Sequence, residues 1–192
     1  MTGDHSHDAV RAEGPPAVVE GVPNAPTIVV MDPAGAAKHD ELPATWRPLA
    51  ERRRITWCRL PSEGAVNEAE SVLSSSSTAG PVVDIVASGP FAETALLVAE
   101  RHANKLRSLL LVDPAAKAGP EADDAETEDR RWERDHAERR RRLEESGVTV
   151  RVIAHSTVGE FDRIPAPLPL GHPDVVAAIE RTLDEIEPER LG

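Results

Sequence analysis

The residues best placed to do chemistry lie in one short turn. Ser88, Gly89 and Pro90 follow an apolar, β-branched run at 82–86 and precede a helical pattern at 91–102, after which a second apolar run occupies 109–112. This is a strand–helix–strand unit. The turn after its first strand is where α/β enzymes place a nucleophile or bind a ligand. Asp113-Pro114 closes the second strand at the same edge, either as a turn starter or as a polar group facing a ligand. The Ser88 hydroxyl is a nucleophile only where a base stands beside it; otherwise it satisfies local backbone groups. Cys58 sits inside a strand pattern and reads as a small buried hydrophobe. His5 and His7 are spaced like a metal-binding pair but have no further ligands around them, so neither a metal site nor a cofactor is expected. Arg139, Arg140, Arg141 and Arg142 follow Trp132 in a highly charged stretch. That stretch is either a solvated helix face or a docking surface for an acidic protein partner, with Trp132 as the anchor.

Positioning such groups requires a scaffold, and the 192 residues suffice for one domain with a real core. With three Trp, two Phe and no Tyr, that core must be aliphatic. The net charge of −12 disfavours nucleic acid as a partner, because such binding needs a basic footprint. One cysteine rules out an internal disulfide and fits a reducing cytoplasm. No apolar run approaches the ~20 residues that span a bilayer, so no membrane association is expected. Residues 1–25 are rich in Pro, Gly, Asp and His without periodicity and read as a disordered tail. Strand patterns at 27–31, 55–60, 82–86, 108–112 and 148–154 alternate with helical ones. The expected fold class is therefore α/β: a mostly parallel sheet of about five to six strands with helices on both faces. Residues 26–192 form its single domain, with a charged helical insertion at 118–146. The last helix, 173–186, is amphipathic, with Val175, Val176, Ile179, Leu183 and Ile186 on one face.

The order and spacing of these segments resemble the α/β-hydrolase family over roughly residues 26–187. PTIVVMDPAG at 26–35 is similar to the strand and oxyanion-loop segment, and ITWCRLPSEG at 55–64 to the next strand and its loop. Ala87-Ser88-Gly89-Pro90-Phe91 stands where the family has its G-x-S-x-G nucleophile elbow. Residues 107–114 and 148–154 resemble the two strands that follow. Gly171-His172-Pro173 resembles the segment with the catalytic His, and Asp162 the catalytic acid, with the intervening last strand shortened to 165–170. The resemblance thus implies His172 as base and Asp162 as acid, with Ser88 as a displaced nucleophile, if the chain is active.

The departures from that pattern fall on the catalytic positions. Gly89 holds the nucleophile position, and Ser88 lies one residue early. Pro90, which has no N–H, replaces an oxyanion donor worth roughly 3 kcal/mol of transition-state stabilisation. Phe91 replaces a packing glycine, and Asp32 places negative charge where negative charge must develop. Three readings stand. The first is a hydrolase-like protein without its nucleophile that binds a small-molecule ligand or a protein partner, with Asp32, Pro33, Gly89, Pro90 and Asp113 as ligand-facing residues. The second is a serine ester hydrolase using displaced Ser88 with His172 and Asp162. The third is an interaction module working through the charged helix at 121–146.

Overall fold

The apolar runs become strands because successive residues cover opposite faces. In a computed structural model, described for residues 14–33, 41–60, 62–76, 80, 82–116, 125–156 and 164–186, they form one six-stranded sheet. The strands are β1 (Ala17–Gly21), β2 (Thr27–Asp32), β3 (Arg54–Arg59), β4 (Val83–Ser88), β5 (Leu106–Val112) and β6 (Thr149–Ala154). Their spatial order is β1-β3-β2-β4-β5-β6. All neighbours are parallel except β1 and β3. The helices are α1 (Arg47–Ala50), α2 (Ala65–Ser75), α3 (Ala92–Arg101), α4 (Ala125–Glu145) and α5 (Pro173–Ile186). The α/β class and the mostly parallel sheet expected from the sequence are what the chain forms.

Alternation along the strands builds two cores. Ile28, Val30, Trp57, Val86 and Leu110 pack with Trp46, Leu49 and the apolar face of α5. Val29, Met31, Ile85, Leu109 and Leu111 face α2, α3 and α4 on the other side. Val175, Val176, Ile179, Leu183 and Ile186 are all buried, as their helical spacing predicts.

Two expectations need correction. Residues 17–21 are not part of an irregular tail, because β1 pairs with β3 and covers its edge. The segment is short and its alternation brief, with Val18 inward and Val19 half exposed, so its flanking prolines and glycines hid it. Gly21 ends it at φ +105°, where a Cβ would lie 2.0 Å from the Arg53 carbonyl oxygen, so only glycine fits. The charged segment expected as an insertion is, over 125–145, the crossover helix between β5 and β6, seated on the sheet by Trp132 and Leu143.

The chain passes from β2 to β3 on one side of β2 and returns to β4 on the other. Such a reversal opens a crevice beyond the carboxyl ends of the two diverging strands. Here those ends are Asp32 on β2 and Ser88 on β4.

Candidate functional site

The crevice is closed by residues 164–171. Prolines at 165, 167 and 169 remove alternate backbone donors, so this segment cannot extend the sheet. It is irregular rather than the shortened strand expected at 165–170. Its free carbonyls accept hydrogen bonds from the protein beneath. Ser88 Oγ donates to the Leu168 carbonyl at 2.8 Å, Trp46 Nε1 to Leu170 at 2.7 Å and Thr45 Oγ1 to Gly171 at 2.9 Å. In return Leu168 N donates to Asp113 Oδ2 at 3.1 Å. Leu168 and Leu170 insert into the core on the α5 face. The result is a strap across the ends of β4 and β5.

The strap fixes what the turn after β4 can do. Val86 and Ser88 share the face toward α5, whereas Ala87 faces the opposite core. Ser88 is therefore fully buried, and its hydroxyl is committed to Leu168. Gly89 has φ +55°, and a Cβ there would sit 2.8 Å from Pro167 Cβ. Neither position presents a hydroxyl to solvent. His172 caps the start of α5, with its Nδ1 3.3 Å from the Asp174 N–H and 3.8 Å from the Asp174 carboxylate. No hydrogen bond joins Ser88 to His172 among the described residues. Asp162 lies outside the described residues.

The ligand-facing set is likewise redistributed. Asp32 is buried and accepts from Trp57 Nε1 at 2.9 Å; that indole meets Trp46 edge-on, with ring centroids 5.0 Å apart. Gly89 lies beneath Pro167, Pro33 is half-buried beside Asp32, and Asp113 is buried. Of the five, Pro90 is the exposed one and Pro33 is half-buried, whereas strap and core cover Asp32, Gly89 and Asp113. Pro90 lines a cleft of about 240 Å³ on the α4 side of the turn, together with Glu93, Pro114, Ala115, Trp132 and His136. The Trp132 ring stacks on His136 at 4.3 Å, and its enclosed Nε1 makes no hydrogen bond.

Asp113 is the polar hub of this edge. It adopts φ +50°, a left-handed conformation that Asp tolerates better than most side chains. Its Oδ1 accepts from Ser156 N at 3.1 Å and Ser156 Oγ at 3.0 Å, and its Oδ2 holds the strap. Just beyond, His155 and Asp129 stand with Nδ1 and Oδ1 3.1 Å apart. The sequence reading missed this grouping, since the three residues sit on separate elements with no local spacing to join them. Burial pushes the thiol of Cys58 up to about 12, which fits its expected role as a core residue.

The charged helix α4 does not present the anchor expected of it. Trp132 is only 9% exposed and belongs to the core. Arg139 reaches Glu93 at 2.7 Å and Glu100 at 2.8 Å, both on α3, and Arg141 pairs with Glu138 and Glu145 on its own helix. These pairs satisfy guanidinium groups that a docking surface would offer to a partner; Arg140 is half-buried and Arg142 exposed. The hydrogen bond from Arg139 holds the Glu100 carboxyl below its ordinary value of 4.5, against a smaller opposing effect of burial. A carboxyl lowered by folding stabilises the protein above its unfolded value, and that contribution fades as pH falls through the folded value. Because the pair is partly solvated, Glu100→Gln should cost only about 0.5 kcal/mol at pH 7. In urea melts the gap between wild type and variant should close as pH falls below about 4.5.

No protein-family model, curated protein or solved structure matches this chain. Among the described residues, no helix is long and apolar enough to cross a membrane.

Proposed function

We propose that the chain is an α/β-hydrolase-like protein that has lost serine-hydrolase chemistry and binds a small molecule in the cleft beside Pro90 and Trp132. The observation that carries this reading is the closed turn after β4: Ser88 is buried against the Leu168 carbonyl, and Pro167 fills the space a side chain at Gly89 would need. The family-like segments support it, since those at 26–35, 55–64, 107–114 and 148–154 fall on β2, β3, β5 and β6 in order, with the elbow between β4 and α3. The cleft sets the rings of Pro90 and Pro114 and the edge of the Trp132–His136 stack beside the carboxylates of Glu93, Glu128 and Asp135, a mixture that suits a small polar ligand with an apolar face.

The test pairs a reactive probe with a fragment screen. A fluorophosphonate should leave Ser88 unlabelled in folded protein, and short-chain esters should turn over no faster with wild type than with His172→Ala. Ser88→Ala should cost about 1 kcal/mol through the lost hydrogen bond and change no rate. NMR shifts from a fragment library should cluster on Glu93, Ala115 and Trp132. Labelled Ser88 together with ester turnover abolished by His172→Ala would overturn the reading in favour of a serine hydrolase.

A further inference from the structure

Asp113 at the end of β5, Asp129 in the first turns of α4 and His155 just after β6 each place one ligand atom within 4.8 Å of the other two. We propose that these three side chains form a binding site for a first-row dication of the Zn²⁺ class. The site stands independently of how the turn after β4 is read.

His155 is the leading indication. Its Nδ1 is enclosed by protein and makes no hydrogen bond, although Asp129 Oδ1 is 3.1 Å away. Two atoms that share a cation at bond lengths of about 2.1 Å stand roughly 3.0–3.4 Å apart in octahedral or tetrahedral geometry. The observed separation suits a shared cation, and the missing hydrogen bond leaves the nitrogen lone pair free to serve it. On the other side of the ring, Glu133 Oε1 is 3.7 Å from Nε2. At that distance there is no hydrogen bond, but the negative charge still favours the tautomer with its proton on Nε2, which leaves Nδ1 to the cation.

The carboxylates fit the same role. Asp113 is held by the Ser156 N–H, the Ser156 hydroxyl and the Leu168 N–H, which fix its orientation. Those bonds leave lone-pair capacity on a carboxylate that can accept about four. Asp113 and Asp129 are 1% and 8% exposed, so two negative charges are held close together out of water, and a dication relieves their repulsion. An imidazole nitrogen among the ligands favours Zn²⁺ over Mg²⁺ and Ca²⁺. Three protein ligands leave a coordination position for water or an added ligand. Bound there, the cation ties the ends of β5 and β6 to the start of α4.

Calorimetry with ZnCl₂ on chelator-treated full-length protein should give one site. His155→Gln and Asp129→Asn should each abolish it. A double variant, His5→Ala with His7→Ala, should bind as wild type does, which separates the site from the histidine pair near the N-terminus. Should the site variants fail to fold, imidazole ¹⁵N signals of wild type decide: Zn²⁺ should shift His155 and leave His172 in place. No binding, binding that disappears with His5 and His7, or Zn²⁺ shifts that spare His155 would each overturn the proposal.

Discussion

Arg107→Ala is expected to lower the unfolding free energy by about 3–5 kcal/mol, a large share of the 5–15 kcal/mol typical of a domain. Arg107 Nε and Nη2 donate to the two oxygens of Asp84 at 2.9 and 2.5 Å, across the start of the β4–β5 pair. Asp84 is fully buried and Arg107 is 5% exposed. Truncating the arginine leaves a carboxylate in the sheet with Ser108 Oγ, 2.7 Å away, still donating to it. Uncompensated buried charge, rather than the lost attraction, sets the size of the effect. The double variant Asp84→Leu with Arg107→Met should therefore recover most of the loss, since a well-packed apolar pair replaces an ion pair at little or no net cost. Urea melts of the three proteins check this. If the double variant is as unstable as Arg107→Ala, the pair contributes more than the avoidance of an unpaired charge.

That pair also shows how far the sequence could be read. Apolar runs announce β2 to β6 because a parallel sheet covered on both faces needs residues that can be buried on either side. The charged residues inside or beside two of those runs, Asp84 in VVDIVA and Arg107 in RSLLLV, are visible too. Their partnership depends on strand register, which composition does not encode. β1 was hidden because five residues of weak alternation between turn formers look like loop. The candidate site was harder still. The strap works through backbone carbonyls at 168, 170 and 171, whose acceptance leaves no mark in residue type. Asp113 was singled out for its place at a strand end, yet Asp129 and His155 come from a helix and a loop that only the tertiary fold brings together. The polarity of its helix suggests a solvated face or a docking surface anchored by Trp132, yet Trp132 and Leu143 seat the helix on the sheet. Helical spacing shows one face of the helix to be sparse, and the sheet uses that sparse face nonetheless.

Placing a serine at the turn after β4 by Gly89→Ser should destabilise the protein by about 2–5 kcal/mol and yield no esterase. Two costs add. A non-glycine residue in the left-handed region loses about 1–2 kcal/mol, and Gly89 sits there at φ +55°. The new Cβ would also stand 2.8 Å from Pro167 Cβ and 3.3 Å from its Cγ, closer than such atoms pack. Overpacking of this kind costs about 1–3 kcal/mol when the neighbour can yield. Pro167 has limited room to yield, because Leu168 beside it is bonded to both Ser88 and Asp113 and its side chain lies in the core. Pairing Gly89→Ser with Pro167→Gly removes the clash but frees the backbone at 167, so it should return only part of the steric loss in thermal or urea unfolding. Neither variant should hydrolyse esters, because Pro90 still lacks the N–H that an oxyanion requires. A Gly89→Ser protein as stable as wild type would show that the strap yields readily and that the turn after β4 is not closed by Pro167.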